Sequence, residues 1–304
     1  MTTKKTNDKV EKVVKKTDKT TKSAEKSTKS SEKVTKIAAK PQEVSRYRRL
    51  IENLRARWNK KKRSSKAWKI GLNIAELLVL CAWVWVCLEA SQYIVMGALR
   101  VMVYFGFDYA GHETVIQTVF SAVIYMICLG ITIGLPWLIL GEKTTRDECG
   151  LRGLFTWTDI GLGVAGFVVA MIAILLVTAV VAIICPWIDM EQAQDVGFEN
   201  LVGFKDMMLA FVTLVVVAPL CEEIIFRGWL YGKLRARTWA MPAIILTSIM
   251  FGIAHGQWNV GITVGVMSVI MCLIREMTGT IWGGMIIHML KNGLAYYLLF
   301  VRFI

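Results

Sequence analysis

The sequence predicts an all-α protein: a polytopic transmembrane helical bundle of about seven spans, preceded by a disordered basic tail and an amphipathic helix. Three observations carry that reading. Hydrophobic residues make up 55% of the chain and the mean hydropathy is +0.50, far from the balance of a soluble domain. Apolar stretches of roughly 20 residues recur from residue 71 onward, each long enough to cross ~30 Å of hydrocarbon at ~1.5 Å per helical residue. The formal charge of +13 is concentrated at one end: residues 1–70 hold 24 Lys and Arg against 7 Asp and Glu, whereas the other 234 residues hold 12 against 16.

Residues 1–41 are mostly Lys, Thr and Ser with short acidic interruptions and no aromatics. Such a stretch cannot bury enough surface to offset its ordering entropy, so it reads as a disordered tail. Between residues 42 and 70, Val44, Tyr47, Leu50, Ile51, Leu54 and Trp58 recur at spacings of three and four among many Arg and Lys. That pattern predicts a basic amphipathic juxtamembrane helix whose partner is anionic lipid. No nucleic-acid recognition motif accompanies the charge, and none is expected as a partner.

Spans are expected at 71–96, 115–140, 158–186, 206–234, 239–256, 260–274 and 280–301. No apolar run in the first forty residues reads as a secretory signal, so the N-terminus is expected in the cytoplasm. The loops agree with that orientation. Lys143, Arg146 and Arg152 fall in one, and Lys233, Arg235 and Arg237 in another, both on the inner side. The stretch 187–205 carries Asp189, Glu191, Asp195 and Glu199 and falls outside. Cys81, Cys87, Cys128, Cys149, Cys185, Cys221 and Cys272 are scattered without a C-x-x-C pair and read as small buried apolar residues rather than a disulfide or zinc framework.

Ionisable groups within a bilayer cost several kcal/mol and commonly face a bundle interior or a wet cavity, so they are functional candidates. Glu222 and Glu223 lie in "PLCEEIIFRG", His255 in "FGIAHG", and His288 with Asn292 in "HMLKNG". Counting from the inner loops places them about 14 to 24 Å deep, which lets them meet at one level. Glu223 and Arg227, Phe251 and His255, and His288 and Asn292 are each four residues apart, hence on one helical face. Glu223 is expected to be neutralised by Arg227, leaving Glu222 to point at the histidines. A carboxylate beside two imidazoles can take a proton from water or ligate a metal. Pro219 is expected to kink the helix that holds the glutamates.

The ordered pattern E-E-x-x-x-R, F-x-x-x-H and H-x-x-x-N resembles the CAAX-protease and bacteriocin-processing family of membrane endopeptidases. That group includes the Ras-converting CAAX prenyl endopeptidases and bacterial proteins formerly described as abortive-infection proteins. The resemblance covers about residues 200–300, and residues 147–163 also look like a family segment. It implies a helical bundle around a cavity in which Glu222 and His255 activate water, His288 and Asn292 steady the oxyanion, and Glu223, Arg227 and Phe251 support them. An oxyanion donor contributes roughly 3 to 4 kcal/mol in other hydrolases. The family is described both as metal-dependent and as glutamate-dependent; Glu222, His255 and His288 are the candidate zinc ligands here, and the sequence does not require the metal.

The activity expected is therefore that of an intramembrane endopeptidase acting on a membrane-bound protein or peptide, in a bacterial cell membrane. Two rivals remain at this stage. A non-catalytic scaffold or immunity protein would gain nothing from buried charge, and a proton-coupled transporter of the inverted-repeat kind would show an internal repeat that this sequence lacks.

Overall fold

The computed structural model describes residues 74–192, 194, 196, 198, 201 and 203–302. The expected tail at 1–41 and the amphipathic helix at 42–70 lie outside the described residues. Among the described residues the regular structure is all helical. Six helices are long and apolar enough to cross a membrane, and a seventh apolar helix is shorter. They are α1 (Ile74–Tyr104), α2 (Glu113–Leu140), α3 (Trp157–Ile184), α4 (Gly203–Arg237), α5 (Ala240–Ile253), α6 (Trp258–Thr278) and α7 (Trp282–Val301).

The helices follow the expected spans, with two differences. The first was expected to end at residue 96 but continues to Tyr104, because neither Gly97 nor Arg100 breaks a helix whose neighbours are strong apolar formers. The stretch expected to span 239–256 forms only the 14-residue α5, about 21 Å long at the helical rise. That is short of a hydrocarbon core.

Helix α3 has the most apolar window, at a mean hydropathy of 3.2. Most of its side chains are not buried by the protein: Val164, Val168, Ile172, Leu175 and Leu176 are exposed, as a lipid-facing surface requires. Its start is set by a capping box. The Thr156 backbone N–H and hydroxyl both donate to Asp159 Oδ2, at 2.8 and 2.6 Å, and Asp159 N–H donates to Thr156 Oγ1 at 3.3 Å. The other Asp159 oxygen accepts from Thr280 Oγ1 at 2.8 Å, which ties the start of α3 to the turn before α7.

Helix α4 positions the centre of the bundle and is not uniformly α-helical. Two π-helical stretches, Val212–Val217 and Ile224–Leu230, flank the α-helical turn Ala218–Glu223. The N–H of Ala218 reaches back five residues to Thr213 O. Pro219 follows at the next position, where its missing N–H would interrupt an α-helical ladder. The expected Pro219 kink is thus accommodated by a wide turn ahead of it, which re-aims the residues that follow.

The core gathers around this helix. Phe226, Trp229, Leu230, Phe251, Met267, Met271, Cys272 and Ile287 are all buried. Six of the seven cysteines are buried as well. Helices α5 and α6 cross at a pair of glycines: a Cβ on Gly252 would lie 2.6 Å from Gly261 O, and one on Gly261 would lie 2.8 Å from Gly252 O. Only two residues without side chains let those backbones touch.

Candidate functional site

The buried half of the site is built on α4. Glu223 and Arg227 are one turn apart and both fully buried, with Arg227 Nη1 donating to Glu223 Oε1 at 2.9 Å. The pairing expected from their spacing is present. A buried ion pair holds only if its remaining hydrogen-bonding groups are answered, and here the surroundings answer part of them. Arg227 Nη2 approaches Met271 Sδ at 3.3 Å, and the guanidinium lies 4.1 Å from the centroid of the Phe251 ring, a stacking geometry that favours a cation. Among the described residues, Glu223 Oε2 and Arg227 Nε are buried without hydrogen-bond partners.

His288 arrives from α7, 2% exposed. Its Nδ1 lies 3.0 Å from Glu223 Oε1. An ionised carboxylate only accepts, so this contact puts a proton on Nδ1. The opposite nitrogen, Nε2, faces Glu222 Oε2 at 3.7 Å. The division of labour is therefore shared: Glu223 is held by Arg227 and also orients His288, which in turn stands beside Glu222. The close approach of α7 depends on Gly284, where a Cβ would fall 3.0 Å from Glu223 Oε2.

Glu222 is the more accessible carboxylate, with 16% of its side chain exposed. It lines a cavity of about 360 Å³ together with His255, Asn292, Tyr125 and Lys291, a volume in the range of ligand-binding clefts. Its Oε1 accepts a 2.6 Å hydrogen bond from Tyr125 Oη on α2. Nothing in the sequence pattern singled out Tyr125, because its helix carries no further polar motif and the partner is 97 positions away. Lys291 was equally unremarked, standing inside "HMLKNG" between two residues that drew attention.

His255 lies in the turn just after α5. Its Nδ1 is 2.8 Å from Phe251 O. A carbonyl only accepts, so Nδ1 carries a proton, and in the neutral ring Nε2 is then the acceptor. Phe251 packs edge-on against both histidine rings, with centroids 4.9 Å from His255 and 5.6 Å from His288. One aromatic side chain thus spaces the two imidazoles and covers Arg227. Asn292 Nδ2 donates to Leu214 O at 2.9 Å, in the first π-helical stretch of α4. That bond uses one amide hydrogen and leaves the other.

The candidate zinc ligands Glu222, His255 and His288 do not form a metal-binding group: among the described residues no three His, Cys, Asp or Glu side chains are placed to hold an ion together. The Nδ1 contacts of His288 with Glu223 and of His255 with a backbone carbonyl are ones that ligating imidazoles also make; it is the placement of the three donors that is at odds with a shared ion. This arrangement does not fit a three-donor zinc site.

Residues 204–294, which contain every residue singled out above except Tyr125, match the family described as "Type II CAAX prenyl endopeptidase Rce1-like". The "Putative membrane peptidase YdiL" of Bacillus subtilis (strain 168) is 24% identical over 209 residues, covering 66% of this chain and 83% of that protein. No solved structure matches the chain. This is an integral, multi-pass membrane protein, and over residues 204–294 it matches the Rce1-like family of membrane peptidases, the group that its three motifs resemble.

Proposed function

We propose that this chain is an intramembrane endopeptidase that hydrolyses a peptide bond of a membrane-associated protein or peptide in a bacterial cell membrane. The observation that carries the reading is the placement of Glu222: a carboxylate on a cavity wall, tethered by Tyr125 and sharing the cavity with His255 and Asn292. Glu222 and His255 Nε2 are acceptors, so a water between them would donate both of its hydrogens and direct a lone pair at a substrate carbonyl. Attack forms the carbon–oxygen bond as Glu222 takes the proton. The carbonyl becomes an oxyanion, which the second amide hydrogen of Asn292 can meet. His288, with Nδ1–H committed to Glu223, reaches that oxyanion only through Nε2 and needs a proton there to donate. Collapse of the intermediate breaks the carbon–nitrogen bond, and Glu222 returns its proton to the leaving amine.

The remaining parts of the reading rest on charge distribution. The excess of Lys and Arg in residues 1–70 puts the N-terminus on the cytoplasmic side. Residues 42–70 would lie on anionic lipid as an amphipathic helix, and residues 1–41 would stay disordered and dispensable for turnover.

The test compares new peptide termini in membrane and secreted fractions of cells making the wild type or Glu222→Gln at matched levels. Termini that vanish with Glu222→Gln support a protease and name its substrates. Identical profiles, with the host's candidate substrates expressed, would move the reading to a non-catalytic scaffold.

A further inference from the structure

The cavity that holds Glu222 extends in one direction only. Helices α1, α3 and α7 lead away from the end of the bundle that carries the 141–156 connection, and α2 and α4 lead towards it. On α7 the cavity wall begins at Lys291 and continues to Phe300, about 14 Å further along at the helical rise. On α2, which runs the other way, the wall ends at Cys128, and on α4 it ends at Phe226. Gln194, Val196 and Phe198, from the stretch between α3 and α4, complete the far side. Glu222 and His255 therefore stand near the floor of the cavity, and its length lies away from the 141–156 connection.

The end towards that connection is packed shut. Leu230, Leu234, Ile244 and Met271 fill it at 0 or 1% exposure. Beyond them, Tyr231 Oη donates to Glu276 Oε2 at 2.6 Å and Arg235 Nη2 donates to Glu276 Oε1 at 3.0 Å. Arg275 Nη2 donates to Glu148 O at 2.9 Å, and its guanidinium lies so close to Gly150 that a Cβ there would come within 2.5 Å of Cζ. These bonds draw α4, α6 and the 141–156 connection into a plug. At the other end, Asn259 Nδ2 donates to Gln192 O at 2.7 Å and Tyr296 Oη to Met207 O at 2.8 Å, while Gln92 and Leu299 on the wall stay exposed.

Charge says which face of the membrane each end meets, because Lys and Arg in short loops mark the cytoplasmic side. The plugged end carries Lys143, Arg146, Arg152, Lys233, Arg235 and Arg237. The connections at the open end, residues 105–112 and 185–202, contain no Lys or Arg and hold Asp108, Asp189, Glu191, Asp195 and Glu199.

We propose that the cavity opens to the extracytoplasmic face, and that its substrates are membrane-anchored polypeptides cleaved in an outer juxtamembrane segment that has already crossed the bilayer. The substrate class rests on reading this cavity as the cleavage site. A segment entering from that face would pass Leu299 and Ala295 before its carbonyl meets Asn292 and the water of Glu222. A cytoplasmic tail would have to displace the plug to reach the same place.

The test is sidedness of labelling in the full chain, which does not depend on turnover. Ala295→Cys, on the wall one turn beyond Lys291, is treated with the membrane-impermeant trimethylammonium-ethyl methanethiosulfonate in right-side-out and in inverted membrane vesicles, and modification is read by peptide mass. Lys143→Cys marks the plugged end, and the half-buried native Cys185 marks the open end. Leu299→Cys repeats the measurement should Ala295→Cys fail to fold. Ala295→Cys and Cys185 are expected to react roughly tenfold or more faster in right-side-out vesicles, and Lys143→Cys faster in inverted ones, since thiol modification follows access. Faster labelling of Ala295→Cys in inverted vesicles, or no labelling of either wall position from either side, overturns the proposal. So does labelling of Lys143→Cys from outside, which would reverse the orientation. Glu222-dependent termini are expected at the outer ends of apolar segments; termini in cytoplasmic tails overturn the substrate class and leave a protease. Absence of any Glu222-dependent terminus removes the protease reading and the substrate class with it, while the sidedness of the cavity is decided by the labelling alone.

Discussion

Tyr125 on α2 donates a 2.6 Å hydrogen bond to Glu222 on α4, and so the carboxylate that faces the cavity is held by a helix outside the motif-bearing half of the chain. The bond fixes one oxygen of Glu222 and leaves the other towards His288 and the cavity. In the proposed reaction, Tyr125 is a positioning residue.

Tyr125→Phe keeps the ring and removes only the hydroxyl. A hydrogen bond to a charged group contributes about 1.5 to 3 kcal/mol, so kcat is expected to fall roughly tenfold to a hundredfold with KM little changed. Steady-state kinetics on a substrate found through its Glu222-dependent terminus would check this. A loss confined to KM would instead place Tyr125 in substrate binding.

The Glu223–Arg227 pair is fully buried, and its value is asymmetric. Arg227→Met leaves a buried carboxylate without its cation and is expected to destabilise the protein by about 3 to 5 kcal/mol. Glu223→Gln combined with Arg227→Met removes both charges and is expected to recover much of that loss. Thermal unfolding in detergent of the single and double variants measures the difference. Equal stability of the two would show that the carboxylate has another counter-charge.

Two glycine contacts predict separable defects. Gly252→Ala places a methyl 2.6 Å from Gly261 O, against backbone that cannot turn aside, and should cost about 1 to 3 kcal/mol by forcing α5 and α6 apart. Gly284→Ala meets Glu223 Oε2 at 3.0 Å, the end of a side chain that also orients His288. Its expected effect is a larger loss of activity than of melting temperature. Measuring both quantities on both variants separates packing from positioning.

Cys149 offers a probe outside the spans. Burial, opposed by the nearby Arg275 charge, pushes its thiol above the usual cysteine range, and the side chain is 4% exposed. The folded protein is therefore expected to resist N-ethylmaleimide at Cys149 near pH 8, with labelling appearing on unfolding; the partly exposed Cys185 should react first. Because the folded value is raised, the thiol's contribution to stability is whole below the unfolded value and is lost as pH rises towards the folded one. Rapid labelling of Cys149 in the native state would show that the 145–153 loop opens from α6.

The membrane character, the approximate spans and the motif residues were legible in the sequence, because each follows from a local or periodic property. Twenty apolar residues make a span wherever they occur, and Glu222, Glu223, His255 and His288 stand out in apolar text for the cost of placing them there. Spacing of four residues was enough to pair Glu223 with Arg227, since both partners share one helix. The partners of Glu222 and Asn292 were a different matter. Tyr125 and Leu214 O lie on other helices or stretches, at sequence separations of 97 and 78, and periodicity within a helix says nothing about which neighbour it will meet. The two π-helical stretches of α4 were also hidden, although Pro219 signalled a distortion: a kink and a wide turn answer the same missing N–H, and the packing around them decides between the two. Tertiary structure likewise decided that His288 stands beside both glutamates and that Lys291 lines the same cavity as Glu222, with no ion-pair partner among the described residues. Those are relations between elements, created only when the helices close around a common core.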